Sequence, residues 1–210
     1  MFKTRKLNEE FQTQRIVLEG TEVVFTPWSN MDLQNIEKFK NALKNGNYKE
    51  MVELIQEAIK DPEANKIHWL ELTKRTGLFF QNKREFVLSG QLFVLRAENY
   101  PPQSTAIIEV AYAKALEVYK KGAIYSTDNT VRKECNEEGQ KIAKEIGDED
   151  SLEILISEPI DYEIKQDNEL IFMLKELDER VAHNRENNIY DKELEDRARR
   201  FRIFLETEDF

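Results

Sequence analysis

Breaks between apolar stripes are the feature of this sequence that most limits its fold. The 210 residues include only seven Gly and five Pro, too few for a β protein with many turns. Several of them follow an apolar stripe with three- and four-residue spacing: Gly46, Pro62, Pro101, Gly122 and Gly147. Gly or Pro at such a place ends a helix. We therefore expect long helices joined by short links.

Residues 29–147 contain six predicted helices, grouped into three consecutive antiparallel hairpins. In the first hairpin, a stripe from Leu33 to Leu43 is followed after about three residues by a stripe from Tyr48 to Ile59. A link that short makes the two helices antiparallel, with their stripes facing each other. The pattern repeats twice, and the fifth and sixth helices are predicted to end at Gly122 and Gly147.

The sequences on either side of this helical block have different residue patterns. Residues 1–28 are predicted to form an arm and a β-hairpin, because two β-branched runs flank the sequence Glu-Gly-Thr at residues 19–21. Residues 148–166 are predicted to be a connecting segment with short strands, since the apolar runs 152–156 and 160–164 surround a proline. Residues 167–210 are predicted to form a C-terminal helical pair. Its stripes are Leu170, Leu174, Leu177 and Val181, then Leu194, Ala198, Phe201 and Leu205.

The predicted fold class is therefore mainly α. It consists of consecutive antiparallel helical hairpins, as an α-solenoid-like array or an irregular bundle. A small N-terminal β-hairpin and minor strands complete it.

Part of the helical block resembles tetratricopeptide repeats. Gly46-Asn47-Tyr48 looks like the opening of the second helix of such a repeat. Trp69 then matches the start of the first helix of the following repeat. Thr73 and Thr76 depart from the pattern, since that family has Gly and Tyr there. The resemblance covers about residues 31–147, and it implies a concave surface that binds a peptide or a partner helix.

A weaker resemblance concerns the N-terminal segment. A hairpin that ends in Phe25-Thr26-Pro27-Trp28 and leads through Asp32-Leu33 into a helix is similar to the start of phage tail-assembly chaperones. That resemblance implies a virion or tail-assembly component, again without catalytic chemistry.

Charge and cysteine content restrict the partners and the compartment. The formal net charge of −10 opposes binding to a phosphate backbone, so nucleic acid is not expected as the main partner. Cys135 is the single cysteine, which excludes an intramolecular disulfide. No apolar run reaches the roughly 18 to 20 residues of a membrane-spanning helix, so no membrane partner is expected. We expect a cytoplasmic protein, or one within a particle assembled in the cytoplasm.

Residues typical of catalytic and metal sites are few and scattered. His68 and His183 lie 115 residues apart; His68 is predicted to be packed and His183 solvated, and no local signature pairs either with Cys135. Structural zinc needs about four Cys or His ligands, and the chain has three such residues. The glycines form no phosphate-binding loop, and Gly77 and Gly90 are expected at close helix crossings. We expect no catalytic residue, no metal and no cofactor.

Acidic residues leave one catalytic alternative open. The chain has 41 Asp and Glu residues, so adjacent pairs such as Glu137-Glu138 are common. A solvated surface is the preferred interpretation of these pairs. Hydrolases of the glycosidase type need two carboxyl groups, however, and a hydrolase with a carboxylate-based site assembled by folding is kept as an alternative.

Aromatic side chains give the candidate binding residues. The third and fourth helices are apolar over more than one face, so either they are central or their outer face docks a partner. The candidate partner-binding residues are Trp69, Phe79, Phe80, Phe86, Phe93 and Tyr112. The leading hypothesis is non-catalytic protein–protein interaction, as an adaptor, assembly factor or structural subunit, with another protein or copies of itself as partner.

Overall fold

Residues 12–186, 194–195 and 197–199 are described by the computed structural model. Over these residues the chain is mainly helical, with a small antiparallel β-hairpin near the N-terminus, so the predicted fold class is confirmed. The chain divides into two compact units, unit 1 over Met1–Glu158 and unit 2 over Pro159–Phe210. No helix in the described part of the chain is long and apolar enough to cross a membrane.

The β-hairpin forms where the two β-branched runs predicted it. Strand β1 (Gln14–Leu18) pairs antiparallel with β2 (Thr21–Phe25), and Ile16 lies opposite Val23. The turn residues Glu19 and Gly20 both have positive φ, 46° and 79°, which suits the twist of a two-residue hairpin turn. Alternation then buries one side of the hairpin and exposes the other. The buried side chains are Ile16, Leu18, Val23 and Phe25.

Seven helices follow in unit 1 over the described residues, and they form the three predicted hairpins plus one further helix. Their bounds are α1 (Asn30–Asn45), α2 (Tyr48–Lys60), α3 (Lys66–Asn82), α4 (Phe86–Asn99), α5 (Thr105–Tyr125), α6 (Asn129–Ile146) and α7 (Glu149–Ser157). The hairpins are α1 with α2, α3 with α4, and α5 with α6.

Local signals set the helix ends. Ser29 Oγ accepts the Asp32 N–H at 3.1 Å at the start of α1, and Asp128 Oδ1 accepts the Thr130 N–H at 2.8 Å at the start of α6. The residue after α1, Gly46, has a φ of 67°. Such a left-handed conformation strains residues with a Cβ. The two helix starts are therefore stabilised by side-chain caps, and the end of α1 is set by a glycine in the left-handed conformation.

Helix α4 lies at the centre of unit 1. It packs against its neighbours in sequence, α3 and α5, and it also contacts α2 and α6. The helices α2, α4 and α6 therefore form one row, and α3 and α5 lie on either side of α4. The β-hairpin packs against α3.

The prediction of short strands in residues 148–166 is wrong, because the first of the two apolar runs lies in helix α7. Helix α7 begins after Asp148, whose Oδ1 accepts the Ser151 N–H at 2.9 Å, and Leu155 is buried against Gly139 of α6. A short apolar run has too few turns to reveal its period, so the cap and the contact with α6 decide its structure. Residues 162–164 begin the next helix.

The predicted end of the fifth helix is also corrected. Helix α5 continues through Gly122 to Tyr125. Gly122 faces Cys135 so closely that a Cβ would overlap its Sγ, and that Cβ would lie 2.8 Å from Phe86 Cβ. Glycine is therefore needed here for close helix packing and not as a cap.

Unit 2 contains helix α8 (Tyr162–Glu186). Leu177 is buried with Leu194 and Ala198, and Val181 packs against them. These contacts agree with the predicted stripes of a C-terminal helical pair. Phe201 and Leu205 lie outside the described residues.

Candidate functional site

A buried carboxylate joins the β-hairpin to α1 and α3. Asp32 is fully buried. Its Oδ2 accepts the Trp28 N–H at 2.9 Å and the Asn65 N–H at 2.8 Å, and its Oδ1 accepts the Trp69 Nε1–H at 2.8 Å. Three donors from the chain itself offset the cost of burying the carboxylate. Asp32 therefore stabilises the fold.

The histidines occupy the environments predicted from the sequence. His68 Nδ1 accepts the Thr26 N–H at 2.9 Å, and its ring meets Phe25 edge-on with the ring centroids 5.4 Å apart. The prediction that His68 is packed is therefore confirmed. His183 is exposed on α8, as predicted.

Cys135 is a core residue of α6. Its side chain is fully buried, and this burial raises the pKa of the thiol to about 12. Reactive cysteines have a lowered pKa and a partly exposed sulfur. Cys135 has neither property, so the geometry does not support a nucleophilic role.

Several described carboxyl groups have shifted pKa values, and these shifts are downward. Side-chain hydrogen bonds from Lys83 and Asn82 lower the pKa of Glu19, and hydrogen bonds from the backbone and side chain of Ser151 lower that of Asp148. A carboxyl group that acts as general acid needs a raised pKa. Within the described residues, no group of three or more His, Cys, Asp or Glu is placed to hold a metal ion.

The aromatic residues proposed from sequence to bind a partner are mostly core residues, and this assignment is corrected. Five of them are buried: Trp69, Phe79, Phe80, Phe86 and Phe93. Four of them, Trp69, Phe79, Phe80 and Phe86, fill the space between the hairpin and α1–α3 or between α4 and α5–α6, where a partner cannot reach them. Phe93 is also a core residue, but one part of its ring lines a groove. The alternative that the third and fourth helices are central is the one found. The sixth residue, Tyr112, is half-buried.

An open groove of about 360 Å³ lies between α3 and α5, with α4 as its floor. We refer to it as the α3–α5 groove. Helix α3 contributes Lys74 and Leu78, and α4 contributes Phe93 and Arg96. The α5 side of the lining consists of Val110, Ala111, Ala113, Lys114 and Glu117.

Small residues bring the floor of the groove close to its walls. A Cβ on Gly77 of α3 would lie 3.0 Å from the Phe93 ring of α4. On the other side, Gly90 of α4 faces the Tyr119 ring of α5 so closely that a Cβ would overlap it, and Ala111 of α5 is buried. The expected close crossings at Gly77 and Gly90 are therefore confirmed.

Arg96 is the most buried charged group of the groove. It is 8% exposed, and its guanidinium lies over the Tyr100 ring, 4.9 Å from the centroid. Its Nη2 donates to Tyr100 Oη at 3.3 Å. Its Nε–H is buried and donates to no atom of the described chain. A buried donor without an acceptor is unfavourable by about 1–3 kcal/mol.

The acidic residue of the lining, Glu117, is already paired. Its Oε2 lies 2.7 Å from Lys114 Nζ and its Oε1 lies 2.6 Å from Lys121 Nζ. Hydrogen bonds from these two lysines lower the pKa of Glu117 to about 2. The lining holds three cations against this one carboxylate, since Lys74 and Arg96 join Lys114. The groove is positive in a chain whose net charge is −10.

A second groove of about 360 Å³ lies between α5 and α7. Here Lys120 Nζ donates to Ser151 Oγ at 3.0 Å, and Ser151 Oγ donates to Asp148 Oδ2 at 2.7 Å. These polar groups satisfy one another. In the α3–α5 groove, by contrast, Arg96 Nε lacks an acceptor, and Lys74 forms no hydrogen bond or ion pair with a described residue. The α3–α5 groove is therefore the candidate site.

Sequence reasoning missed the cations of this groove. One signal was available, because Arg96 follows Phe93 by three residues and so shares the apolar face of α4. A charge within an apolar stripe indicates either a buried pair or a binding residue. Comparison with known proteins adds nothing further, since the chain matches no protein-family model, no curated protein and no solved structure.

Proposed function

We propose that this chain is a non-catalytic interaction protein of the cytoplasm, an adaptor or assembly factor, which binds a segment of another protein in the α3–α5 groove. The observation that carries this proposal is the groove itself, with an apolar floor and polar groups that the fold does not use. Apolar surface with a few converging polar groups is the usual composition of a binding site. A tetratricopeptide-like origin of the hairpins is part of the same proposal.

The size of the groove favours a short segment. Its volume of about 360 Å³ is near the lower end of the range for ligand pockets, about 300–1,000 Å³. It suits a few side chains of an extended peptide. Next to it, α5 exposes Val110 by 65% and Ile107 by 39%. These side chains are three residues apart on one helix face, so they extend the apolar surface beyond the groove.

A peptide library selected on the purified chain tests this proposal. Ala113 is an exposed small residue that lines both this groove and the groove between α5 and α7, so Ala113→Trp obstructs both without touching the core. Lys74→Glu, which changes the lining of the α3–α5 groove alone, assigns the binding to one of them. Glu137→Trp, at an exposed position of α6, is the matched control. We expect selected peptides to bind with a micromolar Kd that Ala113→Trp raises by about tenfold or more, while Glu137→Trp leaves it unchanged. Peptides that bind both variants equally, or no enrichment, would contradict the proposal.

The two alternatives predict other results. A virion or tail-assembly component would form rings or extended assemblies of defined size, which light scattering after size-exclusion chromatography detects. A carboxylate-based hydrolase would turn over model glycosides, with a pH profile set by two carboxyl groups. Either result, together with binding that ignores Ala113→Trp, would replace the proposal.

A further inference from the structure

We infer that the protein segment bound in the α3–α5 groove is acidic: one of its carboxylates contacts Arg96, Lys74 and Lys114, and a neighbouring apolar side chain lies on the floor beside Phe93. This inference rests on the proposed function and adds the chemistry of the partner. Charge complementarity and the unused hydrogen-bonding capacity of Arg96 carry it.

The charges of the groove favour a carboxylate. The lining contains three cationic residues, Lys74, Arg96 and Lys114, and one acidic residue, Glu117. Because Lys121 Nζ also lies 2.6 Å from Glu117 Oε1, Glu117 keeps a cation of its own when Lys114 turns toward a ligand. The groove therefore attracts an anion, although most of the molecule carries the opposite charge.

Arg96 can bind a carboxylate by directional hydrogen bonds. Its Nη2 already donates to Tyr100 Oη, and its Nε–H has no acceptor. A carboxylate can accept two parallel N–H bonds from one guanidinium, and such charged hydrogen bonds are stronger than bonds to an amide. Because this Nε–H is itself buried, the guanidinium has to turn toward the groove for a ligand to reach it, and the new bond then offsets the cost of the unused donor. Side-chain amides and hydroxyls of a partner would gain less there.

The apolar part of the lining requires a second kind of side chain in the partner. Leu78, Phe93, Val110 and Ala111 line the same groove as the cations, and burying an aliphatic or aromatic side chain against them is favourable because it removes apolar surface from water. A short free carboxylate would leave this surface exposed. A nucleic-acid backbone would meet the net negative charge of −10 outside the groove. An acidic peptide segment fits both parts of the lining.

Peptide arrays on the full chain test this inference. Three matched sets of 12-residue peptides share one Leu or Phe and differ at two positions, which hold Asp or Glu, Asn or Gln, or Lys. We expect the acidic set to bind about tenfold more tightly than the amide set, with a Kd that rises when NaCl is raised from about 0.05 to 0.5 M. We expect Lys74→Glu to raise that Kd by about three- to tenfold, and Arg96→Met to raise it by more.

The controls separate charge from folding. Lys133→Glu makes the same charge change at an exposed position of α6, and it should alter the Kd less than about twofold. Because Arg96 is buried, Arg96→Met is interpreted only if its circular dichroism and Tm match the wild type. Lys74 is half-exposed, so Lys74→Glu carries the test if the Arg96 variant does not fold.

The outcomes distinguish this inference from the proposed function. If amide or basic peptides bind, lose affinity in Ala113→Trp and ignore Lys74→Glu, the groove binds protein but the acidic partner is wrong. If no peptide set shows groove-dependent binding, both are wrong. If succinate or a single-stranded oligonucleotide displaces the acidic peptide at concentrations near the peptide's own Kd, the ligand is a free carboxylate or a phosphate backbone, and the inference is overturned.

Discussion

The two ends of unit 1 use polar side chains in opposite ways. At one end the β-hairpin packs against α3, and the buried polar groups Asp32 and Asn65 bond to the chain itself, although Thr76 Oγ1 of α3 is buried and forms no hydrogen bond with a described residue. At the other end helix α5 is flanked by two grooves, one of which it shares with Lys74 and Leu78 of α3, and Arg96 keeps a buried N–H without an acceptor. Similar helical hairpins are thus covered by the chain's own strands at one end and left open at the other.

This difference separates residues that stabilise the fold from residues that are available to a ligand. A buried polar group with all of its hydrogen bonds satisfied contributes to stability, and its loss is costly. A charged group beside a groove with unused donors contributes little to the fold. If the comparison is right, substitutions at the covered end change stability most, and substitutions of the groove cations change it least.

The largest expected effect is at the covered end, for Asp32→Ala. The substitution removes the acceptor of the Trp28, Asn65 and Trp69 N–H donors, and it leaves the Asn65 and Trp69 donors buried without a partner. We expect the free energy of unfolding, from urea titration, to fall by about 3–5 kcal/mol. Asp128→Ala removes an exposed helix cap and should cost only about 1 kcal/mol. Equal losses for the two variants would mean that the Asp32 network does not hold the hairpin in place.

The next effect concerns α4, which lies between the two ends. In Gly90→Ala the new Cβ overlaps the Tyr119 ring, so α4 and α5 must move apart. We expect a loss of about 1–3 kcal/mol in the free energy of unfolding. The neighbouring Gln91→Ala, at a half-exposed position, should change it by less than about 0.5 kcal/mol. If Gly90→Ala left the free energy of unfolding unchanged, α4 and α5, which form the floor and one wall of the groove, would be less closely packed than the Gly90–Tyr119 contact indicates.

Much of the fold could be predicted because its signals are local. The turn at Glu19-Gly20 and the helix end at Gly46 both depend on interactions within a few residues, and both were placed correctly. Helix α7 was missed because nine residues give too few turns to separate helix from strand, and its stability depends on contact with α6. Gly122 was misassigned because its role depends on Cys135, which belongs to the next helix.

The candidate site could not be predicted in the same way. The aromatic residues Phe79 and Phe80 were candidates for binding a partner, yet both rings are buried against Tyr48 of α2, a contact between different helices. The groove depends on which residues of α3 and α5 face each other across α4. That register follows from close contacts such as Gly77 with Phe93, which helical periodicity within a single segment does not specify.

A smaller effect tests the packing of the open end through the pKa of Cys135. In the folded state burial raises that pKa from 9.0 to about 12. Below about pH 9 the thiol is protonated in both states and contributes no pH dependence. Between about pH 9 and 12 only the unfolded chain loses this proton, so stability falls by about 1.4 kcal/mol per pH unit.

Urea titrations at several pH values measure this slope. Cys135→Ala removes the thiol but keeps Tyr119, whose pKa burial also raises. The variant should therefore lose less stability than the wild type between pH 8 and about pH 10.5, by about 1–2 kcal/mol. Identical slopes would mean that solvent reaches the α5–α6 contact, and the open end would then be loosely packed as well as grooved.

The smallest expected effect is at the groove itself, for Lys74→Ala. Lys74 and His68 belong to the same helix, but His68 accepts the Thr26 N–H, whereas Lys74 bonds to no described residue. Lys74→Ala should change the free energy of unfolding by less than about 0.5 kcal/mol, and His68→Ala should lower it by about 1–2 kcal/mol. If Lys74→Ala were as destabilising as His68→Ala, the groove cations would be part of the fold's own stabilisation. The contrast between a covered end that stabilises the fold and an open end that we propose to bind a ligand would then not hold.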